Sequence, residues 1–274
     1  TWSFERPAPY NNPLHLTGLR PAGECHGVSQ IGRALVMSSQ FVRSIHLHPG
    51  AEVDYNEFPF SVPAVQHLGK MDFHPSVTFL VGENGSGKST LVEAIASRAG
   101  FHAAGGTKNF RSDHFESESE LADSLVLARG ARRESRGFFL RAETMYNVST
   151  KALEYDPGGQ YWEDLHGMSH GEGFLWVLLN RFSGDGLYIL DEPEAALSPQ
   201  RQLSFIARLH QLVQEGSQFI ISTHSPILLG YPRSWIYLLS EDGVERVDYE
   251  ETEHYQVTKA FLLNPERMLK ELLR

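Results

Sequence analysis

Apolar positions along the chain fall into two kinds of run. Residues 77–81, 186–190 and 218–222 are short and nearly unbroken, the pattern of strands buried on both faces. Other apolar residues recur at helical spacing: Leu91, Val92, Ile95 and Ala99 do so until Gly100 ends the series. Ser198-Pro199 supplies an N-cap and an N1 proline for a helix to about Glu215, and residues 174–180 read as an apolar helix. Residues 41–47 and 137–141 predict strands, and residues 64–73 predict a strand pair turning at Gly69-Lys70. Ser117-x-x-Glu120 reads as a capping box, opening a short helix through Leu121, Leu125 and Val126. Strands alternating with helices predict an α/β fold with a mixed core sheet flanked by helices.

One junction between the two patterns carries chemistry. After the strand at 77–81 comes Gly82-Glu83-Asn84-Gly85-Ser86-Gly87-Lys88-Ser89, which matches G-x-x-x-x-G-K-[ST], and Thr90 continues into the helix. Strand, glycine-rich loop and helix form the context a phosphate-binding loop requires. Glycines let successive backbone N–H groups turn toward phosphate oxygens, and the helix N-terminus adds partial positive charge. Lys88 can reach β- and γ-phosphates, and the Ser89 hydroxyl can ligate Mg²⁺. A chance match in a chain of this length is on the order of 1%, before the flanking elements are required.

The second half supplies partners for that loop. The strand at 186–190 runs into Asp191-Glu192-Pro193, carboxylates at the end where α/β sheets place ligands. Asp191 can hold Mg²⁺ through water, and Glu192 can take a proton from an attacking water. An isolated acidic turn would be the plainer reading, but a phosphate loop in the same chain favours the catalytic one. Thr223-His224-Ser225-Pro226 follows the strand at 218–222, putting His224 where it could approach a γ-phosphate. His46, His48, His67, His102 and His114 read as structural or exposed. Ser169-x-x-Glu172 is a second capping box, ahead of the helix at 174–180.

Composition narrows the setting. An apolar content of 41% suits one large α/β domain with a sizeable core, alone or with a small appendage. No apolar run is long enough for a membrane helix, so no membrane insertion is expected. The single cysteine, Cys25, cannot form an internal disulfide, which predicts a reducing, cytoplasmic setting. A formal charge of −10 gives no global attraction to nucleic acid, so DNA binding would need a local patch. Arg129, Arg132, Arg133 and Arg136 offer one, with a solvated basic loop the commoner explanation. Residues 1–36 are proline-rich and aperiodic. They read as an extension, either a disordered or non-native tail or a docked accessory segment, before a domain over 37–274.

Together these motifs resemble the ABC-type branch of P-loop ATPases, over roughly Phe41 to the C-terminus. GENGSGKS is similar to the Walker A loop, YILDEPE to Walker B with its catalytic glutamate, and STHSP to the switch-histidine loop. Ser169, His170, Gly171 and Glu172 resemble the signature LSGGQ, with His170 for the first glycine and Glu172 for the glutamine. Residues 194–198 occupy the D-loop position, and Glu143 stands where the family carries its Q-loop glutamine, which implies a metal contact there. The resemblance is greatest to small stand-alone bacterial AAA/ABC-type ATPases, kin to RecF, OLD and SMC head domains. It implies a helical subdomain at about 143–182 and ATP with Mg²⁺ as nucleotide and metal. It also implies a homodimer with ATP sandwiched between one chain's signature and the other's Walker A. Members act in DNA repair, chromosome maintenance and phage defence, often beside a nuclease or another effector protein. The expected function is therefore ATP-driven dimerisation switching a partner or a DNA-bound state. The nucleotide-binding subunit of a membrane transporter is the alternative, which DEPEAALS and the altered signature disfavour. A nucleotide-dependent binding module with negligible turnover is a third reading, against which Glu192 speaks.

Overall fold

Residues that read as unbroken apolar runs form the middle of a sheet. The computed structural model describes residues 40–102, 105–107, 120–141 and 170–274. The expected domain start near Met37, Ser117, Glu143, Ser169 and all of the expected helical subdomain before residue 170 lie outside these. In chain order the strands are β1 (Val42–Leu47), β2 (Met71–Asp72), β3 (Val77–Gly82), β4 (Leu125–Arg129), β5 (Arg136–Arg141), β6 (Gly186–Asp191), β7 (Gln218–Ser222), β8 (Trp235–Ser240) and β9 (Gly243–Val247). The helices are α1 (Pro63–Gln66), α2 (Lys88–Ala99), α3 (Glu120–Ser124), α4 (His170–Arg181), α5 (Pro199–Gln214), α6 (Pro226–Leu229), α7 (Glu253–Leu263) and α8 (Pro265–Leu272).

Among the described residues six strands make the main sheet, in the order β5-β6-β7-β3-β8-β9. The first five run parallel, and β9 returns antiparallel to β8. Every residue of β3, β6 and β7 is buried, and their side chains divide by parity. Leu80, Leu187, Ile189 and Ile220 face α2, meeting Leu91, Val92 and Ile95. Phe79, Val81, Tyr188, Leu190, Phe219 and Ile221 face α4 and α5, meeting Phe174, Leu178, Phe205 and Leu209. The sheet is thereby covered on both faces, the mixed α/β P-loop architecture that the sequence predicts.

A second, antiparallel sheet has the order β2-β1-β4. Gln218, fully buried at the start of β7, joins it to the first. Its Oε1 accepts from the Phe41 and Val42 N–H groups at 3.1 and 3.0 Å, and its Nε2 donates to the Val42 and His74 carbonyls at 2.8 and 3.0 Å.

Two expectations need correction. Residues 64–73 are not a strand pair. Pro63 presets the first turn of α1, Ala64 and Val65 are buried by it, and only β2 pairs, with β1. The helix expected through Leu125 and Val126 stops at Ser124. Leu125–Arg129 instead completes the antiparallel ladder along β1, a tertiary pairing that overrides local helical spacing. Helices α2 and α5 keep their expected ends: Gly100 is the left-handed C-cap of α2, and the Ser198 hydroxyl accepts from Arg201 N at the start of α5.

Candidate active site

The sheet order places the C-terminal ends of β6, β7 and β3 side by side. The loop after β3 and the residues after β6 and β7 therefore share one edge, where parallel α/β sheets hold ligands. Gly87, the N-cap of α2, has φ 97°, and a Cβ there would lie 2.3 Å from Val62 Cγ1. Only glycine fits this entry to the helix. Glu83, Asn84 and Gly85 form the exposed crest of the loop, and the Ser86 hydroxyl is buried without a hydrogen-bond partner among the described residues.

Lys88 is only 4% exposed. Its Nζ donates to the carbonyls of Gly82 at 3.0 Å and Glu83 at 2.9 Å. An ammonium carries three donors, so one remains for an anion. Burial pulls the Lys88 pKa down, against the upward pull of the Glu192, Asp191 and Glu194 carboxylates. On the next turn-facing position, Ser89 Oγ donates to Asp191 Oδ1 at 3.2 Å. Asp191 is buried and accepts from Ser222 Oγ at 2.5 Å, while Arg141 Nε lies 3.4 Å from its other oxygen. Arg141 also reaches Glu93 of α2 at 2.6 Å, tying β5 to the loop's helix.

Glu192 adopts the left-handed conformation, with φ 49°, a rare state for a residue with a side chain. Its N–H is held by the Ser222 carbonyl at 3.1 Å, and its Oε1 lies 3.4 Å from His224 Nε2. The backbone N–H of His224 donates to Glu194 Oε1 at 2.5 Å. Burial raises the Glu194 pKa, opposed by the hydrogen bond from His224. On its far side His224 Nδ1 is 3.0 Å from His254 Nε2.

The structure thus brings Lys88, Ser89, Asp191, Glu192 and His224 into one linked cluster. Gly171 and Glu172 stand elsewhere, at the start of α4. A Cβ on Gly171 would lie 2.5 Å from the Ala196 carbonyl, and Arg201 reaches Glu172 at 3.3 Å. Helix α4 therefore seats on the 3₁₀ turn Pro193–Ala196 and on α5. The sequence reading missed Glu194 as a support for His224, and it missed His254 altogether. The DEPE run held a signal for Glu194, whereas His254 has no local motif. The basic cluster is largely engaged within the fold. Arg129 pairs with Glu134 and the Ala99 carbonyl, Arg132 with Asp185, and Arg136 with Ser183.

Among the described residues no group of three or more His, Cys, Asp or Glu side chains could by itself hold a metal. One hydroxyl facing one carboxylate, Ser89 and Asp191, is a sparse set of hard oxygen donors. That suits Mg²⁺, which keeps water and phosphate oxygens in its shell. No helix among the described residues is long and apolar enough to cross a membrane.

A family model for an AAA domain matches residues 62–148, and one for an AAA ATPase domain matches residues 178–229. No curated protein sequence matches the chain. Among solved structures, cbiO1 from Clostridium perfringens, part of the ABC transporter complex cbiONQ, is 18% identical with a TM-score of 0.45, over 86% of this chain and 100% of that one. A nucleotide-free ATP-binding cassette from an ABC transporter is 14% identical with a TM-score of 0.42, over 81% of this chain and 95% of that one. One family model spans the phosphate loop and the other spans both strand ends that face it, so the two segments that build the cluster are each similar to an AAA-type ATPase domain.

Proposed function

We propose that the chain hydrolyses ATP with Mg²⁺, and that ATP-dependent homodimerisation is the switch it applies to a partner effector or to DNA. The observation that carries this is the cluster itself, in which a loop lysine, a hydroxyl–carboxylate pair, a second carboxylate and a histidine meet at one sheet edge. Phosphoryl transfer asks little covalent chemistry of the protein and much positioning and charge. The loop N–H groups and Lys88 bind the β- and γ-phosphates, with Gly82, Glu83, Asn84, Gly85, Ser86, Gly87, Ser89 and Thr90 forming the cradle. Ser89 and Asp191 would hold Mg²⁺, which neutralises phosphate charge when bound.

Glu192 takes the proton of the attacking water as its oxygen bonds to the γ-phosphorus, and the bond to the β-bridging oxygen breaks to release ADP. His224 donates from its ring to the transferred group. Ser169 and Gly171 of a second copy complete each site. A DNA-repair or defence role follows only from the resemblance to RecF, OLD and SMC heads. DNA contact has few arginines left to use in the 129–136 cluster.

Phosphate release tests the hydrolytic reading. Glu192→Gln keeps size but loses the base, so turnover falls by roughly 10²–10⁴-fold while Mg-ATP binding survives. Lys88→Ala loses ATP binding itself, because the cradle is left without its cation. Wild-type turnover in Glu192→Gln, or unchanged ATP affinity in Lys88→Ala, rejects the assignments.

A further inference from the structure

We propose that His254 is a positioning residue for this site, donating from Nε2 to His224 Nδ1 and so holding His224 in the tautomer that carries its proton on Nε2. The inference rests on the roles given above to Glu192 and His224. The two rings are 3.0 Å apart between these nitrogens, and His224 Nε2 faces Glu192 Oε1 at 3.4 Å.

Two neutral proton arrangements satisfy the His–His contact, and the surroundings separate them. If His224 donated from Nδ1, its bare Nε2 would face a carboxylate oxygen, lone pair against lone pair. His254 would then bury a proton on Nδ1, an atom with no hydrogen-bond partner among the described residues. A buried N–H left unpaired is costly. If His254 donates instead, His224 presents Nε2–H to Glu192 and the nucleotide, and His254 Nδ1 is left only as an unfilled acceptor. Burial lowers the His254 pKa from its ordinary value, which favours the neutral ring.

The placement of His254 is built into the fold. It is the second residue of α7, whose N-cap Thr252 is 1% exposed and accepts from Tyr255 N. Thr252 Oγ1 donates to the Tyr249 carbonyl at 2.7 Å, and Tyr249 Oη donates to the Pro226 carbonyl at 2.8 Å. The element that carries His254 is thus pinned two residues downstream of His224. A helix after the last strand reaches back to set a proton on the strand-end histidine.

The test uses histidine labelled with ¹⁵N in the ring and long-range ¹H–¹⁵N spectra, with His224 assigned through His224→Asn. Wild type shows the Nε2–H tautomer of His224; His254→Phe loses it, and His254→Gln, whose amide still donates, keeps it. In Mg-ATP turnover, His254→Phe lowers kcat on the order of 10-fold with KM little changed, and His254→Gln restores most of it. An Nδ1–H tautomer in wild type, a tautomer indifferent to His254→Phe, or equal kcat losses in the two variants overturns the proposal. Should the tautomer follow His254 while no form releases phosphate, the positioning role stands and the hydrolytic reading fails.

Discussion

Holding Lys88 in the fold removes water from an ammonium, and the structure offsets that with two loop carbonyls and three acidic neighbours. The charge is thereby kept where a polyphosphate would need it. His74 shows the opposite solution. Its Nδ1 accepts from the N–H groups of Ser76 at 3.0 Å and Val77 at 3.2 Å, which requires the neutral ring. Burial, then the charge of Arg246, lowers its pKa from 6.5 to about 4. The unfolded chain therefore takes up this proton near 6.5 and the folded chain only near 4. Between those values the unfolded state binds more protons, so the contribution of His74 is full above the upper one and declines as pH falls toward the lower. Urea midpoints measured from pH 7 down to pH 5 should fall more steeply in wild type than in His74→Asn, whose side-chain oxygen accepts at any pH. Parallel slopes would refute this. At this scale much of the site was legible, because Lys88, Ser89, Asp191, Glu192 and His224 each sit in a short motif. His74 and His254 were not, since their roles come from neighbours far away in sequence.

At the scale of elements, one side chain joins two sheets. Gln218 satisfies two N–H and two C=O groups that β1 and the His74 turn would otherwise bury unpaired. Gln218→Leu keeps the volume and removes all four bonds. With each of the four groups left unsatisfied worth about 1–3 kcal/mol, the loss should reach roughly 4 kcal/mol or more, read as a lower urea midpoint. Glu192 and the phosphate loop are not touched, so a variant as stable as wild type would show that water replaces the glutamine. The strand 218–222 was readable from its apolar run, but the role of its first residue was not, because pattern marks faces and not partners. The same limit explains residues 64–73 and 125–129. Their apolar spacing fits strand or helix alike, and Pro63 and the free edge of β1 decided between them.

At the scale of the molecule, the cluster at the sheet edge is half of the proposed machine. A copy of α4 from a second chain would close it, and Gly171 at the start of that helix already rests on the turn that follows Glu192. Movement of α4 against a neighbour's nucleotide would thus be felt at the 3₁₀ turn Pro193–Ala196 and at Glu194, which holds the His224 N–H. Two chains of formal charge −10 repel one another, so moderate salt, about 0.15 M, should favour the proposed association by screening them. With hydrolysis blocked in Glu192→Gln, saturating Mg-ATP should accumulate a dimer in size-exclusion chromatography with light scattering, and ADP should not. Adding Ser169→Arg should return the mass to a monomer, through bulk at the helix N-terminus that is expected to face the γ-phosphate. A Glu192→Gln chain that stays monomeric in Mg-ATP, while equilibrium binding shows the nucleotide is bound, would sink homodimerisation as the switch. A dimer that forms equally without nucleotide would sink it too, since ATP would then not be what joins the two copies.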